Sequence, residues 1–593
     1  VTEQFMASLL RQLRLQLAQS DALPLLALLG AFAGLLTSGT ILLFRMAIEV
    51  PLDSALPGQH HEYFESLPAW LRFTLPMAGA ILTALIFLAF SQQSRVVGIS
   101  HVLERIKHHQ GYMPASNFLA QFFGGIISAI SGQSTGREGP AVHLGAATGS
   151  IMGRKFELPS HHVQLLLACG VAAAISASFN TPIAGVIFAM EVIVMGYSFI
   201  SLIPVILASV TGALLTRAVY GSEPAFSVPQ IHLHSLLEFP FLMLEGLLMG
   251  ALAALFIWVC VNVAQKAPKS LFKRFFIIGL LNGLLALAIP QIMGIGYDTV
   301  NLALIGQLPW IALFIFALAK LLITSLNLGL GQPGGAIGPM LFIGACAGGL
   351  VGELGAWLAP EHASNSGFYA MLGMAAMMSA CLQAPLTALM TLLELTNNSE
   401  ILLPAMLVVV VANLTASEVF KQKALFPRLL QLRGLTVDTS PVEQMLRQHS
   451  VLSISDKDVK IVSKFSSVDE LQLILKGNPK WLVIFDNSKT VLAIISASDV
   501  ANVLLDEEQL NNWLEEHEGA MLMNLLAIPA QRETCGSISM QANLQEALDL
   551  MAKLQVECLS IHSGKNANAS SVMGIIKHDK IHNHYRYQQT SSS

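Results

Sequence analysis

Gly136-Arg137-Glu138-Gly139-Pro140 puts one carboxylate at the head of a short apolar segment. An acid in such a setting is costly and marks function by default. Its neighbours say which function. Proline suits the first helical position, because its missing N–H would be unpaired anyway. Glycine lets the backbone bring its N–H groups up to a ligand. A helix N-terminus carries about half a positive elementary charge and free donors, so the spot favours an anion. Gly335-Ala336-Ile337-Gly338-Pro339 offers the same arrangement a second time. Two such ends meeting at one point would hold an anion without a fixed full charge. That suits passage, because a buried Lys or Arg would hold a halide too tightly to let it go. Glu138 then acts as a tethered competitor: ionised it fills the site, protonated it swings aside. One side chain serves as gate and proton acceptor.

Elements that could position such a site follow from composition. The chain has 593 residues, of which 53% are hydrophobic and only 12% charged, against about a quarter charged in soluble proteins. The deficit is uneven: about 9% charged over residues 1–440 and about 20% over 441–593. A polytopic membrane domain followed by a soluble one is the reading. Apolar runs at 22–48, 73–90, 200–219, 237–264, 275–293, 308–328 and 401–417 are long enough for the roughly 30 Å hydrocarbon core. Others, at 116–131, 138–153, 163–177, 181–195, 339–352, 368–382 and 385–395, are short and interrupted by Gly and Pro. Helices too short to cross must end inside the bilayer, where only protein or a water-lined cavity can satisfy their free groups. The first run, from Ala22 to beyond Leu43, reads as a retained spanning helix and not as a cleaved signal. Residues 1–21 read as an amphipathic N-terminal segment.

The pattern GxxGPxxxxGAxxG occurs from Gly136 to Gly149 and again from Gly335 to Gly348. Downstream, Gly170, Ala172, Ala173, Ser176, Ala177, Pro182 and Glu191 match Gly373, Ala375, Ala376, Ser379, Ala380, Pro385 and Glu394 at one offset. Two copies in register predict a pseudo-symmetric transporter built of broken helices, with repeats at about 22–220 and 237–420.

Residues 441–590 change texture to a β/α pattern with short strands at Trp481–Phe485, Val491–Ser496 and Val572–Ile576, and helices at Ser467–Leu475 and Leu544–Leu554. The acidic stretch Asp506, Glu507, Glu508, Glu515, Glu516 and Glu518 lacks the Gly and alternating oxygen ligands of a calcium loop. His578, His582 and His584 read as solvated residues near the end, not as a metal site. The six cysteines are scattered with no CxxC pair, so neither a disulfide framework nor zinc is supported. A net charge of −5 and a pI near 6.4 argue against nucleic acid as a partner. No HExxH, GxSxG or carboxylate dyad points to an enzyme.

On these motifs the chain resembles the CLC family of chloride channels and chloride/proton antiporters, with a tail resembling paired CBS domains. GREGP is intact, Pro333-Gly334-Gly335-Ala336-Ile337-Gly338-Pro339 is similar to the second selectivity motif with Ile337 for its usual Phe, and Phe179-Asn180-Thr181-Pro182-Ile183-Ala184-Gly185 is a third match. The resemblance implies an α-helical membrane fold of two inverted repeats over 22–435, tandem α/β CBS domains over 436–585 and a polar tail at 586–593. It implies a homodimer in a lipid bilayer, an inner or plasma membrane, with a pore in each subunit and a cytoplasmic tail. It implies chloride as the bound ion, backbone contacts near Gly139, Ala336, Ile337 and Gly338, the neighbouring Arg137, and Glu138 as the external gate.

Three departures accompany the matches. Val96-Val97-Gly98-Ile99-Ser100 aligns with GSGIP, so Val97 stands for the central serine beside Gly98 and Ile99. Phe426 stands for the tyrosine that supplies a second hydroxyl. Each lost hydrogen bond to an ion is worth roughly 1.5–3 kcal/mol, so central binding should weaken. Val192, after Glu191, stands where antiporters of the family carry an internal glutamate, so the proton-relay position is lost. Passive conduction is therefore expected ahead of chloride/proton exchange, with a non-conducting nucleotide-sensing scaffold as a third reading. In the tail, Ser496 and Asp499 retain the residues that contact an adenine nucleotide's ribose, while Lys577 and Lys580 replace them in the second copy.

Overall fold

The structure is a computed structural model and describes residues 23–56, 63–196, 199–222, 226, 238–358, 360, 364–435, 446, 449–486, 491–506, 522–528, 530, 532–563 and 571–583. The N-terminal segment, most of the acidic stretch, His584 and the polar tail lie outside them. The chain divides into two units, residues 23–156 with 163–437, and 157–162 with 438 onward.

The first unit is helical throughout. Its first half comprises α1 (Leu23–Ala55), α2 (Ala69–Ala89), α3 (Ile99–His108), α4 (Ala115–Ile130), α5 (Glu138–Lys155), α6 (Ser160–Phe179), α7 (Pro182–Phe188) and α8 (Phe199–Tyr220). The second half runs α9 (Phe239–Lys266), α10 (Leu271–Ala288), α11 (Tyr297–Leu304), α12 (Trp310–Leu330), α13 (Ile337–Leu358), α14 (Ser366–Leu382), α15 (Pro385–Thr396) and α16 (Leu402–Leu414), followed by α17 (Leu425–Gln431). Eight helices match eight in order, with the short α3 and α7 falling opposite the short α11 and α15. At about 1.5 Å per residue, α7 with the π-helical turn that carries it on to Val194 spans about 20 Å, still short of a bilayer.

Among the described residues nine helices are long and apolar enough to cross a membrane. Two of them correct the reading of short segments: 163–177 and 339–352 fall in the 20-residue α6 and the 22-residue α13. Their glycines and alanines lie inside long helices and do not mark helix ends. A Cβ on Gly145 would lie 2.3 Å from the Gly170 carbonyl oxygen, and one on Gly170 would lie 2.0 Å from that of Gly145. The second repeat makes the same contact, with 2.3 Å from Gly344 to the Gly373 oxygen and 2.2 Å in return. Small residues let α5 cross α6, and α13 cross α14, backbone against backbone. Both pairs are buried inside the protein.

The tail unit holds α18 (Val451–Ile454), β1 (Val459–Ser463), β2 (Phe465–Ser466), α19 (Val468–Leu475), β3 (Trp481–Phe485), β4 (Val491–Ser496), α20 (Ala497–Leu505), β5 (Met523–Asn524), β6 (Arg532–Ser539), α21 (Leu544–Leu554), β7 (Cys558–His562) and β8 (Val572–Lys577). One sheet is ordered β1-β3-β4-β6-β7-β8, and β2 pairs with β5. In each half a parallel pair is followed by an antiparallel one, β1 with β3 then β3 with β4, and β6 with β7 then β7 with β8. A parallel pair needs a crossover, which α19 and α21 supply. Asn543 and Glu546 close a capping box at the start of α21.

Candidate anion-binding site

The loops before α5 and α13 are bonded to each other. Gly136 N–H donates to the Gly335 oxygen at 2.8 Å and Gly335 N–H donates back to the Gly136 oxygen at 2.6 Å. This two-residue antiparallel bridge brings the two helix starts together. A Cβ on Gly139 would sit 2.7 Å from Gly335 Cα, so the approach needs glycine. In both helices the proline is the third residue and still lies in the first turn, where a missing N–H costs no bond.

The Glu138 side chain lies at this junction and is fully buried. Its Oε2 accepts from Gly338 N–H at 3.3 Å, and its Oε1 accepts from the Tyr297 hydroxyl at 3.1 Å. A carboxylate thus occupies the place where the helix dipoles favour negative charge. Ala336 and Ile337 are buried beside it in the same turn. Arg137 directs its guanidinium elsewhere: Nη1 meets Glu49 of α1 at 2.8 Å, and Arg45 shares that carboxylate at 3.2 Å. Its side chain braces α5 against α1.

Gly98 is the N-cap of α3 with φ +84°. Its N–H donates to Gln121 Oε1 at 2.8 Å, and Gln121 Nε2 donates to the Pro333 oxygen at 3.1 Å. One amide on α4 therefore ties the first motif to the second. Ile99 is buried, and Val97 packs on an apolar cluster with Phe87, Phe275 and Leu330. Phe426 is buried on α17, which packs against α3. Val192 is buried in a π-helical turn, Ala189–Val194. Its neighbour Glu191 accepts from Leu386 and Thr387 N–H at 3.2 and 2.7 Å, and Glu394 accepts from Ile183 and Ala184 N–H at 2.9 and 2.7 Å. Each repeat's glutamate caps the other repeat's short helix, α15 or α7.

Tyr297 escaped the reading of the residues, although a signal existed. Gly296 precedes α11 with φ +85°, as Gly98 precedes α3, so Gly296-Tyr297 is the second repeat's counterpart of Gly98-Ile99. A buried polar chain also escaped it. Arg105 Nε donates to His101 Nε2 at 2.9 Å, and His101 Nδ1 lies 2.9 Å from His143 Nε2. Because Arg can only donate, His101 carries its proton on Nδ1 and passes a bond to His143, joining α3 to α5.

In the tail, Ser496 is the N-cap residue of α20 with Oγ 2.6 Å from Ser498 Oγ, and Asp499 is in the first turn. In the second copy Lys577 is paired with Glu533, and Lys580 with Asp456. Burial works to raise the Asp456 carboxyl, but Lys580 and Lys480 together hold it below the usual range. The cysteines are less scattered than their spacing predicts, since Cys535 and Cys558 face each other on β6 and β7 with sulfurs 3.9 Å apart. Strand pairing brings together residues that no local motif links.

Residues 79–417 match the family described as voltage gated chloride channel. A protein of Ralstonia nicotianae, whose name likens it to the chloride channel protein ClcB, is 31% identical over 361 residues, covering 59% of this chain and 83% of that protein. The H(+)/Cl(-) exchange transporter ClcA of Vibrio vulnificus is 30% identical over 396 residues, covering 65% and 84%. The crystal structure of a eukaryotic CLC transporter covers 94% of this chain and 97% of its own, with TM-score 0.58 at 18% identity, a likeness of fold.

Proposed function

Because the chain belongs to the voltage gated chloride channel family, a family of anion channels and transporters and not of enzymes, we propose that it conducts chloride passively, with Glu138 as the gate. The observation that carries this reading is the Glu138 carboxylate between the starts of α5 and α13, held by one backbone N–H and one hydroxyl. An anion already sits there, tethered to the protein. Protonation removes its charge and its claim on the helix dipoles, and a free halide takes its place.

Val192 supports passive flow over exchange. Exchange needs a titratable step between the inner solution and Glu138. The turn with Val192 offers an apolar side chain, and the Glu191 carboxylate beside it is committed to the α15 backbone. The relatives named as exchange transporters favour coupled exchange as the second reading. Resemblance to the family supports a homodimer with one path per subunit, a tail on the cytoplasmic side, and an adenine nucleotide at the first tail copy through Ser496 and Asp499.

Vesicles holding the purified chain, loaded with chloride and clamped in voltage, separate the readings. Chloride efflux without proton movement is the expected result. Steady uphill proton uptake driven by the chloride gradient would replace it with exchange.

A further inference from the structure

We propose that the Tyr297 hydroxyl is the side-chain donor of the anion path: it latches the Glu138 carboxylate while the path is shut and holds the passing anion once that carboxylate has left. The inference rests on Glu138 as the gate and adds the residue that sets how tightly the gate and the ion are gripped.

Both hydroxyls implied by the family resemblance are missing. Val97 is packed into an apolar cluster and Phe426 is buried. A halide stripped of water would then lack both of those side-chain donors at the centre of the path. One hydroxyl does reach the site, from the other repeat and beside the gate. Tyr297 opens α11 directly after Gly296. The preceding Ile295 packs so closely on the start of α13 that a Cβ at Gly338 would lie 2.7 Å from Ile295 Cγ2. The ring is braced edge-on by Phe226, with centroids 5.1 Å apart at 76°. The hydroxyl and Gly338 N–H grip opposite oxygens of one carboxylate.

That carboxylate stands in for the permeant ion. A hydroxyl can donate to a carboxylate or to a halide, and being neutral it does not trap the ion as an ammonium would. Tyr297 is only half-buried, so the donor can meet an ion as it arrives. Gate and anion therefore compete for the same proton donor, and the tightest hold on the anion lies beside the gate.

Calorimetric titration of bromide into the detergent-purified full chain tests this. Glu138→Ala vacates the place, and Glu138→Ala with Tyr297→Phe then removes the hydroxyl while keeping the ring against Phe226. Bromide affinity is expected to fall roughly ten-fold or more between the two. Equal affinities would overturn the role of Tyr297 and leave the Glu138 gate standing. No bromide binding to Glu138→Ala would overturn the site and the proposal with it. With Glu138 intact, Tyr297→Phe should raise chloride efflux from vesicles several-fold at neutral pH. Unchanged efflux would overturn the latch.

Discussion

On the proposed reading Glu138 closes the site with its own charge, which would make the gate an acid–base device. Replacing it by glutamine keeps the shape and removes the charge, so the helix dipoles lose their tethered ligand. Glu138→Gln should raise chloride efflux and make it independent of external pH. Efflux as low and as pH-dependent as the parent's would count against a gate and favour a non-conducting scaffold. A second titration sits outside the spans. Burial and the neighbouring Asp298 charge push Glu65, between α1 and α2, up to about 7, against the pull of Arg72. A raised carboxyl binds its proton better in the folded chain, so its contribution is complete below the unfolded value near 4.5 and is lost as pH rises through 7. The thermal midpoint of the chain should fall between pH 5 and pH 8. Glu65→Gln should flatten that part of the curve.

Among the elements, the short helices depend most on their partners. α7 has seven residues before its π-helical continuation to Val194 and α15 has twelve, marginal lengths for a helix alone. Each begins with proline, which ends the preceding segment, and each takes its N-terminal cap from a glutamate 195 to 211 residues away. Glu191→Gln and Glu394→Gln should each cost about 1.5–3 kcal/mol, the worth of hydrogen bonds to a charged acceptor. Loss of the monodisperse elution peak on heating would read this out, and the two variants should behave alike because the arrangement is reciprocal. The register between the two blocks foretold equivalent glutamates at 191 and 394. It did not foretell that each would cross over to the other repeat, since matching letters carry no partner.

At the scale of the whole molecule, the proposed homodimer makes a direct prediction. Light scattering on the detergent-purified chain should give a protein mass of about 127 kDa, twice the 63.7 kDa of one chain. A mass of one chain would remove the homodimer. Much was legible from local rules. Hydropathy marked the membrane unit, and β-branched runs marked β3, β4 and β8 within a residue. The paired Gly-Pro loops marked the helix starts that meet at Glu138. Where the reading fell short, in the lengths of α6 and α13, small residues looked like breaks because their close crossing is invisible until the partner helix is known.

The resemblance alone implied lost hydroxyls at Val97 and Phe426, whereas the letters themselves picked out the Glu138 carboxylate and its two helix ends. These rest on short-range properties: the φ freedom of glycine, the missing N–H of proline and the charge on one side chain. Only the tertiary structure decided that Tyr297, 159 residues from Glu138, would grip the same carboxylate, and that Cys535 would face Cys558. Contacts of that kind are set by how helices and strands pack, and packing sums many weak interactions across the chain that no single segment encodes.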